Sequence, residues 1–163
     1  MMYEKFGQFI DGKWCQSSDK STYEVINPAN EETLGHASKA TPKDVNRALK
    51  SAEKGLQVWK KTPPWQRSYI IRRIADKIRE KQDVLAKWMT LEVGKPFVEA
   101  KGEVNGAADI FEWNAEETKR IYGQTVESRF EDTRVHVYYQ PVGVVAALSC
   151  LLYTSDAADD ETS

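Results

Sequence analysis

The sequence predicts an α/β fold built from a β-hairpin, three amphipathic helices, a half-exposed strand and a buried strand. Three observations predict it. An Asp-Gly pair stands between short apolar runs near the start of the chain, and apolar residues then recur every three or four positions over residues 41–123. After residue 123 the apolar period changes to two, which is typical of a strand.

The first predicted elements are extended. Asp11-Gly12 is the pair that most readily supplies the positive φ angles of a tight turn, so we expect a hairpin over Phe9–Trp14. A second strand over Tyr23–Ile26 should end at Asn27-Pro28, because proline keeps the residue before it out of the helical region. A third short strand is expected over Thr33–Ser38.

Three helices should follow. Thr41 offers a hydroxyl N-cap directly before a proline, Pro63-Pro64 separates the first helix from the second, and Gly94 ends the second. Gly123 is expected to cap the third. Each helix carries one apolar stripe: Val45, Leu49, Ala52, Leu56 and Trp59 in the first; Ile70, Ile71, Ile74, Ile78, Leu85, Trp88 and Met89 in the second; Phe97, Ala100, Val104, Ala108, Phe111, Ala115, Thr118 and Tyr122 in the third.

Two further strands are predicted beyond Gly123. Residues 133–140 alternate apolar and polar side chains, which indicates a half-exposed strand that Pro141 ends. Val142–Leu148 is continuously apolar, as strands buried on both faces of a parallel sheet are. No crossover helix or second parallel strand follows it in the sequence, so the fold is expected to be truncated.

The composition excludes several classes of protein. The net charge of −2 argues against a nucleic-acid binder, which needs a basic excess. No apolar run approaches the roughly 20 residues that cross a bilayer, and no secretory signal is visible, so we expect a cytoplasmic protein without membrane partners. Cys15 and Cys150 make neither a disulfide framework nor a zinc motif.

The residues that could carry chemistry favour structural interpretations. A nucleophilic Cys150 would have only His36 and His136 as bases, and the nine glycines form no phosphate-binding fingerprint. The basic cluster over Arg72–Lys81 is interpreted as a charged helix face, with an anionic partner as the alternative. We interpret a series of helical acids as a solvated face: Glu92, Glu99, Glu103, Glu112, Glu116 and Glu117.

Five segments together resemble the amino-terminal third of the NAD(P)-dependent aldehyde dehydrogenase superfamily, over roughly residues 6–149. They are Phe9-Ile-Asp-Gly-Lys-Trp14, Val25-Ile-Asn-Pro-Ala-Asn30, Trp59 with Arg67, Met89-Thr-Leu-Glu-Val-Gly-Lys-Pro96 and Pro141-Val-Gly-Val-Val-Ala-Ala-Leu148. The sequences of Met89–Pro96, Glu99–Glu103 and Glu112–Gly123 most resemble those of the succinate-semialdehyde dehydrogenase branch.

The resemblance implies oxidation of a small aldehyde to an acid with NAD or NADP, by a homo-oligomer whose arm would include the strand at 133–140. Val142–Leu148 would be the first strand of a Rossmann-like sheet. The family's catalytic and cofactor-binding residues match no position in this chain, so the chain alone is expected to be inactive and to bind neither coenzyme. A structural monovalent cation is implied at Val25, Ile26 and Glu92, through backbone carbonyls and a carboxylate.

The resemblance divides the chain into residues 6–149, a partial aldehyde dehydrogenase domain, and residues 150–163. Where the family continues with Pro-Trp-Asn-Phe-Pro, this sequence has Cys150-Leu-Leu-Tyr153, so residues 150–163 are expected to be an unrelated tail. The alternative function is a non-catalytic helical module that pairs with full-length subunits through the strand edge at Arg134–Gln140.

Overall fold

The computed structural model describes residues 7–150 and 153–156 of the chain, with side chains described over residues 7–148. Its helices are α1 (Pro42–Trp59), α2 (Pro64–Glu80), α3 (Gln82–Val93) and α4 (Phe97–Glu117). Its strands are β1 (Gln8–Ile10), β2 (Lys13–Cys15), β3 (Thr22–Ile26), β4 (Thr33–Ser38), β5 (Gln124–Glu127), β6 (Arg134–Val137), β7 (Leu148–Cys150) and β8 (Tyr153–Asp156). These strands form four separate antiparallel pairs within the described residues.

The two amino-terminal hairpins confirm the predicted strands. Asp11 and Gly12 take φ angles of 55° and 73° at the turn between β1 and β2, as the Asp-Gly signal requires. Phe9 pairs with Trp14 across this hairpin, with ring centroids 5.1 Å apart. In the second hairpin β3 pairs with β4, and the register shifts between Val25 and Ile26.

Helix α1 begins where the sequence placed it. The Thr41 hydroxyl accepts a hydrogen bond from the Asp44 backbone N–H, and the Asp44 carboxylate accepts one from the Thr41 N–H at 3.0 Å, a reciprocal capping box. The same carboxylate accepts the Ser18 N–H at 3.0 Å. Asp44 is 1% exposed, so this one buried side chain fixes α1 to the loop between β2 and β3.

The core lies where α2 and α3 pack on α4. Alanines form the contact: Ala75 on α2, Ala86 on α3 and Ala100, Ala108 and Ala115 on α4 are all fully buried. Ala86 packs with Ala100 and Val104 beneath Ile78, Leu85 and Met89. Small side chains at these positions let the helix axes approach closely, and this close packing replaces a core of large residues.

The second predicted helix is two helices in the structure. The expectation of one helix from Pro64 to Gly94 was wrong because the chain bends at Lys81, whose φ of −102° and ψ of 13° lie outside the helical region. Both halves contact α4, so tertiary packing sets the bend where the sequence carries no glycine or proline. Gly94 does end the helix, in the left-handed conformation with a φ of 75°.

Gly123 does not cap the third predicted helix. Helix α4 ends at Glu117 and continues as a 3₁₀ turn over Thr118–Arg120. At Gly123 a Cβ atom would lie 2.6 Å from the carbonyl oxygen of Val137, so glycine is needed for the close approach of the chain to the end of β6.

The two carboxyl-terminal strands differ most from the prediction. The strand expected at 133–140 is formed only over Arg134–Val137, and it pairs with β5, which the sequence did not predict. The strand expected at Val142–Leu148 is not formed: residues 141–147 have no regular structure, and Val142 is 92% exposed. A parallel core strand depends on neighbours on both sides, and the described part of the chain contains no parallel pair.

No helix in the described part of the chain is both long and apolar enough to cross a bilayer. Most of residues 150–163, the expected tail, lie outside the described residues.

Substitution of a core alanine tests the packing of α4. Ala108→Leu should lower the free energy of unfolding by about 1–3 kcal/mol, because the extra carbons force the helices apart. Ala107→Leu, on the exposed face of the same helix, is the matched control and should change it by less than about 0.5 kcal/mol. Urea denaturation followed by circular dichroism measures both, and equal effects of the two variants would contradict the packing.

The capping carboxylate predicts a pH dependence. Hydrogen bonds from the backbone N–H groups of Ser18 and Thr41 lower the pKa of Asp44 below its ordinary 3.8. The stability it contributes is therefore present above about pH 4 and lost as the pH falls below that value. In urea denaturation from pH 7 to pH 2, the stability difference between wild type and Asp44→Asn should shrink with falling pH. A constant difference, or an equal effect of Asp76→Asn at the exposed control position, would refute this role.

Candidate functional site

The predicted cation residues lie on two elements, close in sequence to a contact between Pro28 and Gly94. Val25 and Ile26 end β3, and Glu92 is in the last turn of α3. Pro28 follows β3 and Gly94 caps α3, and a Cβ on the glycine would lie 3.1 Å from the Cγ atom of Pro28. The left-handed φ of Gly94 turns the chain at this point and leaves room for the proline.

The backbone around Val25 and Ile26 is irregular. Val25 pairs with Gly35 and Ile26 pairs with Thr33, so Leu34 is an extra residue on the facing strand. A bulge of this kind disrupts the regular ladder of hydrogen bonds. The irregularity falls on the two residues whose carbonyl groups the resemblance implicates.

The electrostatics at the end of α3 favour a cation. The carboxyl end of a helix carries a partial negative charge, and the last turn of α3 contains no basic residue. The next base along the chain, Lys95, forms an ion pair with Glu103 of α4. The side chains of Lys95 and Glu103 are only 15% and 36% exposed. Lys95 is therefore engaged by α4.

Within the described residues, no three His, Cys, Asp or Glu side chains cluster as metal ligands do. A site of backbone carbonyls and one carboxylate would not form such a cluster, and oxygen atoms of these kinds are the ligands that hard cations take.

The helical acids and the basic cluster pair with each other. Arg72 of α2 donates to Glu112 and Glu116 of α4, at 2.5 Å for Glu112, and Arg79 donates to Asp109 and Glu112, both at 2.7 Å. Hydrogen bonds from Arg79 and then Arg72 lower the pKa of Glu112. These contacts agree with the structural interpretation of Glu112 and Glu116, since both acids form ion pairs with bases from α2.

The cysteine and the histidines form no catalytic pair in the described residues. The Cys15 thiol donates to the backbone oxygen of Gln8 at 3.4 Å, and the Arg47 guanidinium lies 2.7 Å from its sulfur atom. His136 is exposed on β6, with Nδ1 3.2 Å from the Thr125 hydroxyl. The Cys150 side chain lies outside the described residues.

One surface feature was missed from the sequence. A groove of about 970 Å³ runs between the end of α1, the start of α2 and the chain around Tyr122 and Tyr139. Arg67 lines it, and the Nε atom of Arg67 is buried without a hydrogen-bond partner among the described residues. Only tertiary packing joins these segments, so local sequence patterns give no signal for the groove.

Comparisons with known proteins match most of the chain. The sequence model of the aldehyde dehydrogenase family matches residues 14–150. Glutarate-semialdehyde dehydrogenase from Pseudomonas aeruginosa is 41% identical over 141 residues, and succinate-semialdehyde dehydrogenase (NADP+) GabD from Escherichia coli is 41% identical over 140 residues. Each alignment covers 86% of this chain and 29% of the relative, so the chain spans less than a third of their length.

The solved structures agree with the sequence relatives. The crystal structure of succinate-semialdehyde dehydrogenase from Burkholderia pseudomallei superposes with a TM-score of 0.76 at 34% identity, over 85% of this chain and 28% of that one. This match confirms the predicted fold class, the amino-terminal part of that larger fold, despite the differences at Lys81 and beyond Val137.

Proposed function

The chain belongs to the aldehyde dehydrogenase family, and from this membership we propose that the enzyme of which it represents one part oxidises a small semialdehyde to the acid with NAD or NADP. One observation carries the proposal: two relatives with 41% identity are both named for a semialdehyde of a dicarboxylic acid. We place the enzyme in the cytoplasm, as a homo-oligomer that takes a small aldehyde substrate and neither nucleic acid nor membrane as a partner.

The reaction of this family needs a thiolate nucleophile, a stabilised oxyanion, a hydride acceptor and a base that activates water. In the part of the chain with described side chains, Cys15 is paired with Arg47, which stays protonated and cannot act as a base. We therefore assign a structural role to the described part of the chain. In this part α2, α3 and α4 form a packed unit, and both strands of the β5–β6 pair are exposed.

An activity assay tests this assignment. The 163-residue chain, incubated with succinate semialdehyde or glutarate semialdehyde and either NAD+ or NADP+, should produce no NAD(P)H absorbance above the rate without protein. The genomic locus should be sequenced across the codons for Ala147 to Tyr153. The full-length protein that it encodes should oxidise both semialdehydes. Turnover by the chain alone would overturn the proposed division of roles, and a full-length product inactive on both semialdehydes would overturn the substrate class.

A second candidate function is supported by the β5–β6 pair. Each of its strands is hydrogen-bonded on one side only within the described residues, and its apolar members Val126, Val135 and Val137 are each at least a third exposed. An open strand edge of this kind can add to another sheet. The second candidate is therefore a non-catalytic module that pairs with full-length subunits through Arg134–Val137. If sequencing of the genomic locus confirms codons 150–163 followed by a stop codon, the non-catalytic module is favoured over the interpretation of the chain as part of a longer enzyme.

We also propose that Val25, Ile26 and Glu92 hold a monovalent cation. The support is the contact of Pro28 with Gly94, the bulge at Val25 and Ile26, and the carboxyl end of α3 without a base in its last turn. The cation would neutralise the helix end and join β3 to α3, so its role is structural.

Cation binding should raise stability by linkage. At ten times its Kd, Na+ or K+ should add about 1.4 kcal/mol to the free energy of unfolding, relative to tetramethylammonium at equal ionic strength. Glu92→Gln should remove this difference, whereas the matched control Glu99→Gln, at an exposed position in the first turn of α4, should keep it. Equal melting temperatures of the wild type in all three chloride salts would contradict the proposed site.

A further inference from the structure

We draw no further inference here: the strongest candidate, the apolar groove that Ile70, Ile74 and Ile78 of α2 form with Leu85 of α3, carries none because nothing in the structure shows what covers it in a chain that spans less than a third of the relatives it matches.

Discussion

The close contact of α2 and α3 with α4 is the constraint on which the rest of the structure depends. Alanines at the contact allow the helices to approach, and Arg72 and Arg79 of α2 then reach Glu112 on α4. The surrounding elements are attached to this unit by few contacts. Helix α1 is held by the buried Asp44 to the loop between β2 and β3, and the residue Pro28 after β3 meets Gly94 at the end of α3.

Local signals in the sequence predicted local structure well. Asp11-Gly12, the Thr41 cap and Gly94 each act within a few residues, and the structure has a turn, a helix start and a helix end at these positions. The bend at Lys81 and the bulge beside Val25 arise from packing between distant segments, for which no local pattern exists.

The run Val142–Leu148 shows a different limit. Its composition is that of a buried parallel strand, but such a strand forms only between neighbours, and the described part of the chain supplies none. Of the candidate site, the sequence supplied the three residues through a family resemblance, and the fold adds the contact between Pro28 and Gly94, which lie two positions after Ile26 and Glu92. The groove at Arg67 could be found only from the assembled helices.

Native-state hydrogen exchange of the whole chain tests the central claim most directly, because it measures stability residue by residue. The unit of α2, α3 and α4 should stay folded. The apolar face of α1 at Val45 and Leu49, which lies outside this unit, stays exposed. We expect the slowest exchange in the α4 amides around Val104 and Ala108, and fast exchange over residues 141–147. Uniformly fast exchange, or protection of residues 141–147 equal to that of α4, would contradict the account.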